Sequence, residues 1–217
     1  MRPTVTAAAL LAVLAAAAPA RAQDDPQAVR ESLQQRIAAE SGATVGLYYR
    51  SLASPDSFAI GADIRFHAAS TMKVAVMIQV FRDIDAGRLR LEERLPVVNA
   101  FRSIADGSTY ELDRADDRDS SLYALTGRTA PVQQLVQLMI TVSSNLATNV
   151  LIERVGAARV QATLRELGTD SMVVLRGVED GPAYRAGLNN TTTARDLAIL
   201  LEAIADGRAA SAASCGR

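Results

Sequence analysis

The sequence predicts a mixed α/β protein in which one β-hairpin near the N-terminus is followed by a series of helices. The composition, 49% hydrophobic and 22% charged over 217 residues, is that of a globular chain long enough to bury a sizeable core. Two short apolar runs flank the turn residues Ser54-Pro55-Asp56, which indicates the hairpin. Beyond residue 70, apolar side chains recur at helical spacing, and glycines follow the ends of several of these segments.

Residues 1–22 have the layout of a secretory signal peptide. A positive start at Arg2 precedes an uncharged apolar run over residues 4–19, and Ala20-Arg21-Ala22 supplies a cleavage signal before Gln23. The alternative is a retained membrane anchor, but the run is shorter than the roughly 20 residues that span a bilayer. We therefore expect export to the periplasm or the extracellular space, with no membrane attachment after the leader is removed.

Charge and cysteine content exclude several classes of function. The net charge is −1 and no basic block occurs, which argues against a nucleic-acid partner. One cysteine, Cys215, and one histidine, His67, cannot form a disulfide within the chain or a zinc site of the usual ligand sets. The sequence gives no reason to expect a cofactor, and we expect a monomer.

The first predicted elements are a helix from residue 25 to about 41 and a hairpin of strands 44–49 and 57–61. The later helices share an amphipathic pattern and turn residues at their ends, and they are predicted over 70–86, 131–141, 145–155, 157–167 and 193–205. Thr193 and Asp196 form a capping-box-like start for the last of these. Residues 97–130 are irregular and charged, and 176–190 are predicted as a loop.

Ser70 and Lys73 are candidate catalytic residues. They lie one turn apart on the same face of a predicted helix start, and Lys73 is the only lysine among 23 lysine and arginine residues. A serine nucleophile needs a base, and a lysine can serve when burial or a nearby cation destabilises its ammonium. The alternative is a capping serine followed by an ordinary surface lysine.

Ser143 and Asn145 are a second candidate pair, in the break between two predicted helices. Ser143 would relay a proton to a leaving nitrogen, and Asn145 would hydrogen-bond a substrate carbonyl. The alternative is a simple helix N-cap, a position that both residue types favour.

Glu179 is a candidate base that would activate a water, although Asp180 beside it is an equal candidate by spacing. The run from Asp113 to Asp119 lacks the ligand spacing of a known calcium loop and is predicted to be a solvated acidic loop. His67 precedes the Ser70 helix with no carboxylate placed to orient it, so we predict a structural role for it.

Three segments resemble, in their order along the chain, the motifs of class A β-lactamases and their penicillin-binding relatives. They are Ser70-Thr71-Met72-Lys73, Ser143-Ser144-Asn145 and Asn190-Thr191-Thr192-Thr193. The resemblance implies that Ser70 is the acylated nucleophile and Lys73 its proton partner. It also implies that Ser143 and Asn145 belong to the second motif. Glu179 corresponds to the loop glutamate that activates the deacylating water, and the acylation base is either the lysine or that glutamate.

The resemblance also implies a two-lobed α/β fold, with a helical lobe and an incomplete αβα sandwich that contains an antiparallel sheet. Residues 23–66 would supply the N-terminal part of the α/β lobe and 67–209 the helical lobe that carries the motifs. Residues 210–217 would begin a missing C-terminal part.

Three departures from the family pattern stand out. Ser144 occupies the position where the family usually has Asp, and residues 97–130 are longer than in typical members. No Lys-Thr-Gly motif can occur, because Lys73 is the only lysine. One hairpin is also too little for a stable sheet. We therefore expect a truncated chain that is inactive or poorly folded alone, which a soluble, cooperatively melting and active preparation of residues 23–217 would refute.

Three hypotheses for the parent protein follow. The first is an exported β-lactamase that opens a β-lactam amide through a Ser70 acyl-enzyme. The second is a D-alanyl-D-alanine peptidase with the same serine acyl chemistry, and the placement of Glu179 as a deacylating base favours the first. The third is a non-catalytic remnant or binding module of the same fold.

Overall fold

The computed structural model describes residues 26–216, so the predicted signal peptide over residues 1–22 lies outside the described part. The described residues divide into two compact units, 26–43 and 44–216. The lobe boundaries predicted after residues 66 and 209 stay predictions. Among the described residues, none of the helices is both long and apolar enough to cross a membrane.

In the first unit, helix α1 runs from Pro26 to Ala39, close to the predicted bounds. Gly42 lies just beyond its end with a φ of 81°, a left-handed conformation that glycine adopts without a steric cost. The sequence pattern therefore predicted both helix α1 and Gly42, the glycine just beyond its end.

The second unit begins with the predicted hairpin. Strand β1 (Leu47–Arg50) pairs antiparallel with β2 (Ser57–Ile60), from Leu47 opposite Ile60 to Arg50 opposite Ser57. The hairpin packs through β1 against helix α7 (Ala194–Ala205). The Arg195 guanidinium at the start of α7 lies 4.8 Å from the centre of the Tyr48 ring, a cation–π contact that supports this packing.

The second unit contains three further antiparallel strand pairs that the sequence pattern did not predict. They are β3 (Phe66–His67) with β8 (Thr191–Thr192), β4 (Arg94–Pro96) with β7 (Thr129–Pro131), and β5 (Phe101–Arg102) with β6 (Thr109–Tyr110). Strands of two or three residues are too short to show an alternating pattern, which explains the omission. The β3–β8 pair matters most for function, because it joins the segment before Ser70 to the end of the 176–190 loop.

A bundle of helices forms the core of the second unit. The principal helices are α2 (Met72–Asp85), α3 (Val132–Thr141), α4 (Asn145–Val155), α5 (Ala157–Glu166) and α7. Their facing side chains are fully buried, as at Met72, Leu135 and Leu151. Helix α4 is buried on nearly all sides, so its N-terminus is held in a fixed position.

Two short helices lie where none was predicted. Helix α6 (Gly181–Arg185) lies inside the predicted loop 176–190, and α8 (Ala212–Cys215) lies near the C-terminal end of the described residues. Each contains one turn, and each is capped by a side chain that precedes it. Segments this short are below the length at which helical periodicity can be recognised.

Candidate active site

Three segments of the second unit meet at a cleft of about 440 Å³. They are the single 3₁₀ turn Ala69–Thr71 before α2, the turn before α4, and the loop of residues 176–190. Ser70, Asn145 and Glu179 all line this cleft. The structure therefore brings together candidates that are far apart in the sequence, with Ser70 and Glu179 separated by 109 residues.

Ser70, Ser143 and Lys73 form one hydrogen-bonded chain. The hydroxyl oxygens of Ser70 and Ser143 are 2.9 Å apart, and the Lys73 ammonium donates to the Ser143 Oγ at 2.9 Å. The same ammonium donates to the Ser143 carbonyl at 2.7 Å and to the Asn145 Oδ1 at 3.0 Å. A proton can therefore pass between Ser70 and Lys73 by way of the Ser143 hydroxyl.

Lys73 is the buried member of this chain, with 2% of its surface exposed, whereas Ser70 is exposed to the cleft. Burial lowers the pKa of Lys73 to about 8, and the negative charges of Asp117 and then Glu179 partly oppose that shift. At pH 7 roughly a tenth of Lys73 is then neutral, against roughly 0.04% for an ordinary lysine. The predicted proton partner therefore has the electrostatic surroundings that a base requires.

Backbone strain is concentrated at the cleft. Among the described residues other than glycine, three have a positive φ: Ala69 at 44°, Ser143 at 60° and Glu179 at 60°. Each lies in a different one of the three segments that form the cleft. Non-glycine residues pay a steric cost in this region, and such residues persist where surrounding contacts hold them.

The turn before α4 is held by two acceptors. Ser144 is the N-cap, and its Oγ accepts from the Ala147 amide at 3.3 Å. The Asp117 carboxylate accepts from the amides of Asn145 and Leu146 at distances of 2.9 to 3.0 Å. Together these two side chains satisfy the first free N–H groups of the helix.

Asp117 corrects the prediction that residues 113–119 form a solvated acidic loop. Its side chain is buried, with 8% of the residue exposed, because it lies against the N-terminus of α4. The only feature of the sequence that marks Asp117 as a site residue is its position in an aspartate-rich run. The neighbouring Asp113 and Asp116 are exposed, as predicted.

The structure separates Glu179 from Asp180, which spacing could not do. Asp180 is 1% exposed and accepts hydrogen bonds from the Ser103 hydroxyl, the Ile104 amide and the Ala183 amide. Asp180 thus caps α6 and fixes the loop. Glu179 is exposed at the cleft, so it is the carboxylate that a bound molecule can meet.

Asn190 links the nucleophile segment to the loop. Its backbone carbonyl accepts from the Ala68 amide at 2.9 Å. Its side chain accepts from the Leu175 amide at 2.8 Å and donates to the Arg176 carbonyl at 2.9 Å. The two ends of the loop and the turn that carries Ser70 are therefore held by one buried residue.

His67 also contacts the turn that carries Ser70. Its Nδ1 accepts from the Ala69 amide at 3.2 Å, which supports the strained backbone at Ala69. Its ring also lies near that of Tyr184, 6.3 Å between centroids. Within residues 26–216, no cluster of three or more His, Cys, Asp or Glu side chains could hold a metal ion.

The chain belongs to the β-lactamase enzyme family, whose family model matches residues 28–217. A solved structure of PBP-A is 30% identical, with a TM-score of 0.71, over 87% of this chain and 65% of that one. A β-lactamase from Sphaerobacter thermophilus DSM 20745 is 30% identical, with a TM-score of 0.71, over 88% of this chain and 66% of that one. No curated protein matches the sequence.

A third match is a mutant of the last common ancestor of Gram-negative bacteria β-lactamase class A. It is 26% identical, with a TM-score of 0.69, over 86% of this chain and 66% of that one. These matches confirm the predicted family and the class A β-lactamase-like fold. The chain spans slightly less than two thirds of the length of the relatives described here.

Proposed function

We propose that the parent protein of this chain is an exported serine β-lactamase that hydrolyses the β-lactam amide through an acyl-enzyme on Ser70. The observation that carries the proposal is the hydrogen-bonded chain from Ser70 through Ser143 to Lys73, with Glu179 lining the same cleft. Export is supported by the signal-peptide layout of residues 1–22.

In the acylation step, the Ser70 Oγ attacks the lactam carbonyl carbon. The Ser70 proton passes to the Ser143 hydroxyl, which gives its own proton to neutral Lys73. When the carbon–nitrogen bond breaks, Lys73 returns a proton through Ser143 to the leaving nitrogen. The step yields a Ser70 ester with an opened ring, and Asn145 is placed at the cleft to hydrogen-bond a polar group of the substrate.

In the deacylation step, Glu179 removes a proton from a water that attacks the ester carbonyl. The ester bond to Ser70 then breaks, Ser70 recovers a proton, and the opened β-lactam leaves as a carboxylic acid. This step needs a free carboxylate near the ester, and Glu179 is the exposed carboxylate of the cleft, whereas Asp180 is engaged in the fold.

A second candidate is a penicillin-binding peptidase that acylates with β-lactams but releases them slowly. It is favoured by the likeness to PBP-A, which is as high as the likeness to the Sphaerobacter β-lactamase. A mutant of PBP-A, 29% identical to this chain with a TM-score of 0.68, has been solved as an acyl-enzyme complex with penicillin G. The two candidates share acylation and differ in deacylation.

The intact mass of the secreted native protein, measured with and without benzylpenicillin from seconds to an hour, tests the proposal. The mass without drug shows whether residues 1–22 have been removed. A β-lactamase gives an adduct of one penicillin that forms and then clears. The matched variant Ser70→Ala should form no adduct.

The other outcomes of this mass measurement distinguish the alternative functions. An adduct that persists identifies the penicillin-binding peptidase, and it overturns the β-lactamase proposal. A folded protein that forms no adduct overturns both and indicates the non-catalytic module. An adduct on Ser70→Ala would place the acylated residue elsewhere and refute the assigned nucleophile.

A further inference from the structure

Asp117 occupies a position that links the fold to the chemistry of the cleft. Its carboxylate accepts from the backbone amides of Asn145 and Leu146, the first two residues of α4. Asn145 accepts a hydrogen bond from the Lys73 ammonium. One buried carboxylate therefore fixes a residue that holds the candidate base.

Ser143, two residues before Asn145, depends on the same attachment. Ser143 has a φ of 60° and presents both its carbonyl and its hydroxyl to Lys73. A turn with left-handed backbone at a serine keeps its shape only if its flanking residues are held. The bonds from Asp117 to the amides that follow supply this restraint on the C-terminal side.

The carboxylate itself is held in place by two donors outside α4. The Tyr123 hydroxyl donates to it at 3.2 Å, and the Asp119 amide donates to it at 3.2 Å. Burial, followed by the charge of Asp117, raises the pKa of Tyr123, so this hydroxyl stays protonated and keeps donating. Asp117 thus has a fixed orientation before any substrate binds.

Asp117 also supplies charge at a distance. Two carboxylates act on the Lys73 ammonium, Asp117 from the loop after β6 and Glu179 from the loop across the cleft, and the effect of Asp117 is the larger. Both oppose the effect of burial on the ammonium. Asp117 is the one of these two that is buried, so solvent screens its charge less.

We propose that Asp117 is a positioning residue of the active site, whose carboxylate fixes the turn of residues 143–145 and acts as a fixed counter-charge for Lys73. This inference rests on the proposed function, since it deepens the role of the same site. In this sequence the family's second motif has Ser144 in place of Asp. A carboxylate from another segment thus occupies the N-terminus of the helix that begins in this motif.

Because Lys73 is the only lysine, its titration can be followed without any assignment of signals. Protein labelled with ¹³C at the lysine ε-carbon gives one lysine resonance, whose shift against pH reports Lys73. Asp117→Asn should move the midpoint to lower pH, because a negative charge that stabilises the ammonium is lost. Asp116→Asn is the matched control: it makes the same change at the adjacent exposed residue, and it should leave the midpoint unchanged.

The second readout is the rate of acylation by benzylpenicillin, followed by intact mass. Asp117→Asn should slow acylation by about 10- to 100-fold, the effect of a misplaced reacting group, while Asp116→Asn stays within about twofold of the wild type. If the wild-type protein forms no adduct, the proposed function fails, but the Lys73 titration still tests Asp117.

A double variant covers the case in which Asp117→Asn folds poorly. Ser144→Asp places a carboxylate at the N-cap of α4, the position from which aspartate caps a helix well. Added to Asp117→Asn, it should restore folding, move the Lys73 midpoint back towards the wild-type value and recover part of the acylation rate.

Two results would overturn the proposal. The first is an Asp117→Asn protein whose Lys73 midpoint and acylation rate both match the wild type. The second is a double variant that folds but recovers neither the Lys73 midpoint nor the acylation rate. A carboxylate at the N-terminus of α4 would then not be the group that the site requires.

Discussion

Asn149 and Val178 are joined by two hydrogen bonds. The Val178 amide donates to the Asn149 Oδ1 at 2.7 Å, and the Asn149 Nδ2 donates to the Val178 carbonyl at 3.0 Å. Since Val178 directly precedes Glu179, this pair attaches the Glu179 turn to α4, the helix that also carries Asn145. Gly177 makes the approach possible, because a Cβ there would lie 2.3 Å from the Asn149 Oδ1.

Gly177→Ala should therefore impair deacylation more than acylation. The added methyl group pushes Asn149 and the Glu179 turn apart, whereas the Ser70–Ser143–Lys73 chain is left in place. A displacement of about 1 Å is enough to cost about 100-fold in rate. The measurement is the lifetime of the penicillin adduct by intact mass, compared with the rate at which the adduct forms.

Gly216→Ala is the control for this substitution, because a Cβ at Gly216 meets its nearest atom at an ordinary distance of 3.4 Å. It should change neither rate. If Gly177→Ala cleared its adduct at the wild-type rate, the Asn149–Val178 pair would not be what places Glu179.

Glu179 and Asp180 should give opposite phenotypes when each carboxylate is replaced by its amide. Glu179→Gln should fold with wild-type stability and acylate, but the adduct should accumulate because the water has lost its base. Asp180→Asn should lower the free energy of unfolding by about 1–3 kcal/mol, since a buried acceptor of three hydrogen bonds is replaced.

Urea denaturation and adduct lifetime, measured on both variants, check this pair of expectations. The opposite result would contradict these roles. If Glu179→Gln were destabilised but cleared its adduct normally, and Asp180→Asn were stable but accumulated the adduct, then Asp180 would be the base and Glu179 the structural residue.

The sequence predicted the helical part of the fold well. Helix α4 has the predicted bounds, and α3 and α5 differ from theirs by a single residue, because turn residues and glycines mark their ends. The three short strand pairs could not be predicted in the same way. Their two or three residues carry no periodic pattern, and their partners lie up to 126 residues away, as for Phe66 and Thr192.

The proximity of the candidate residues was predicted from the sequence, whereas the contacts that hold them in place were not. The order of the motifs suggested that Ser70, Lys73, Ser143 and Asn145 act together, and the structure does bring them together. The positioning role of Asp117 could not be predicted from the sequence. Its partner is a backbone amide 28 residues away, and almost any amino-acid type provides such an amide.

Lys73 should make stability depend on pH. Its pKa is about 8 in the folded protein and close to 10.5 in the unfolded chain, so between these values the unfolded state binds the proton and the folded state does not. The contribution of Lys73 to the free energy of unfolding therefore rises as pH increases from about 8 to 10.5, and it is lowest below pH 8. At neutral pH the buried ammonium is a cost to folding.

Lys73→Met isolates this effect, since it keeps the apolar stem and removes the charge. We expect the variant to lack the wild-type rise over this window and to be the more stable protein at pH 7. The difference in urea midpoint between the two proteins, measured from pH 6 to 10.5, cancels the titration of the tyrosines. A constant difference across that range would contradict a lowered pKa at Lys73.

Asp83 should be the ion-pair residue on which stability depends most. It is fully buried, and its carboxylate accepts from Gln79 at 2.8 Å and from the Arg88 Nη2 at 2.7 Å, with Arg159 at 3.0 Å. Asp83→Ala leaves the buried Gln79 amide without its acceptor, which typically costs about 1–3 kcal/mol of unfolding free energy, whereas the half-exposed Arg88 and Arg159 can be solvated. Glu166→Ala is the matched control: Glu166 pairs with Arg82 but is 66% exposed, so solvent screening limits the loss to about 1 kcal/mol or less. Urea denaturation of both variants measures the two losses of unfolding free energy. Equal losses would show that burial does not determine the strength of these ion pairs.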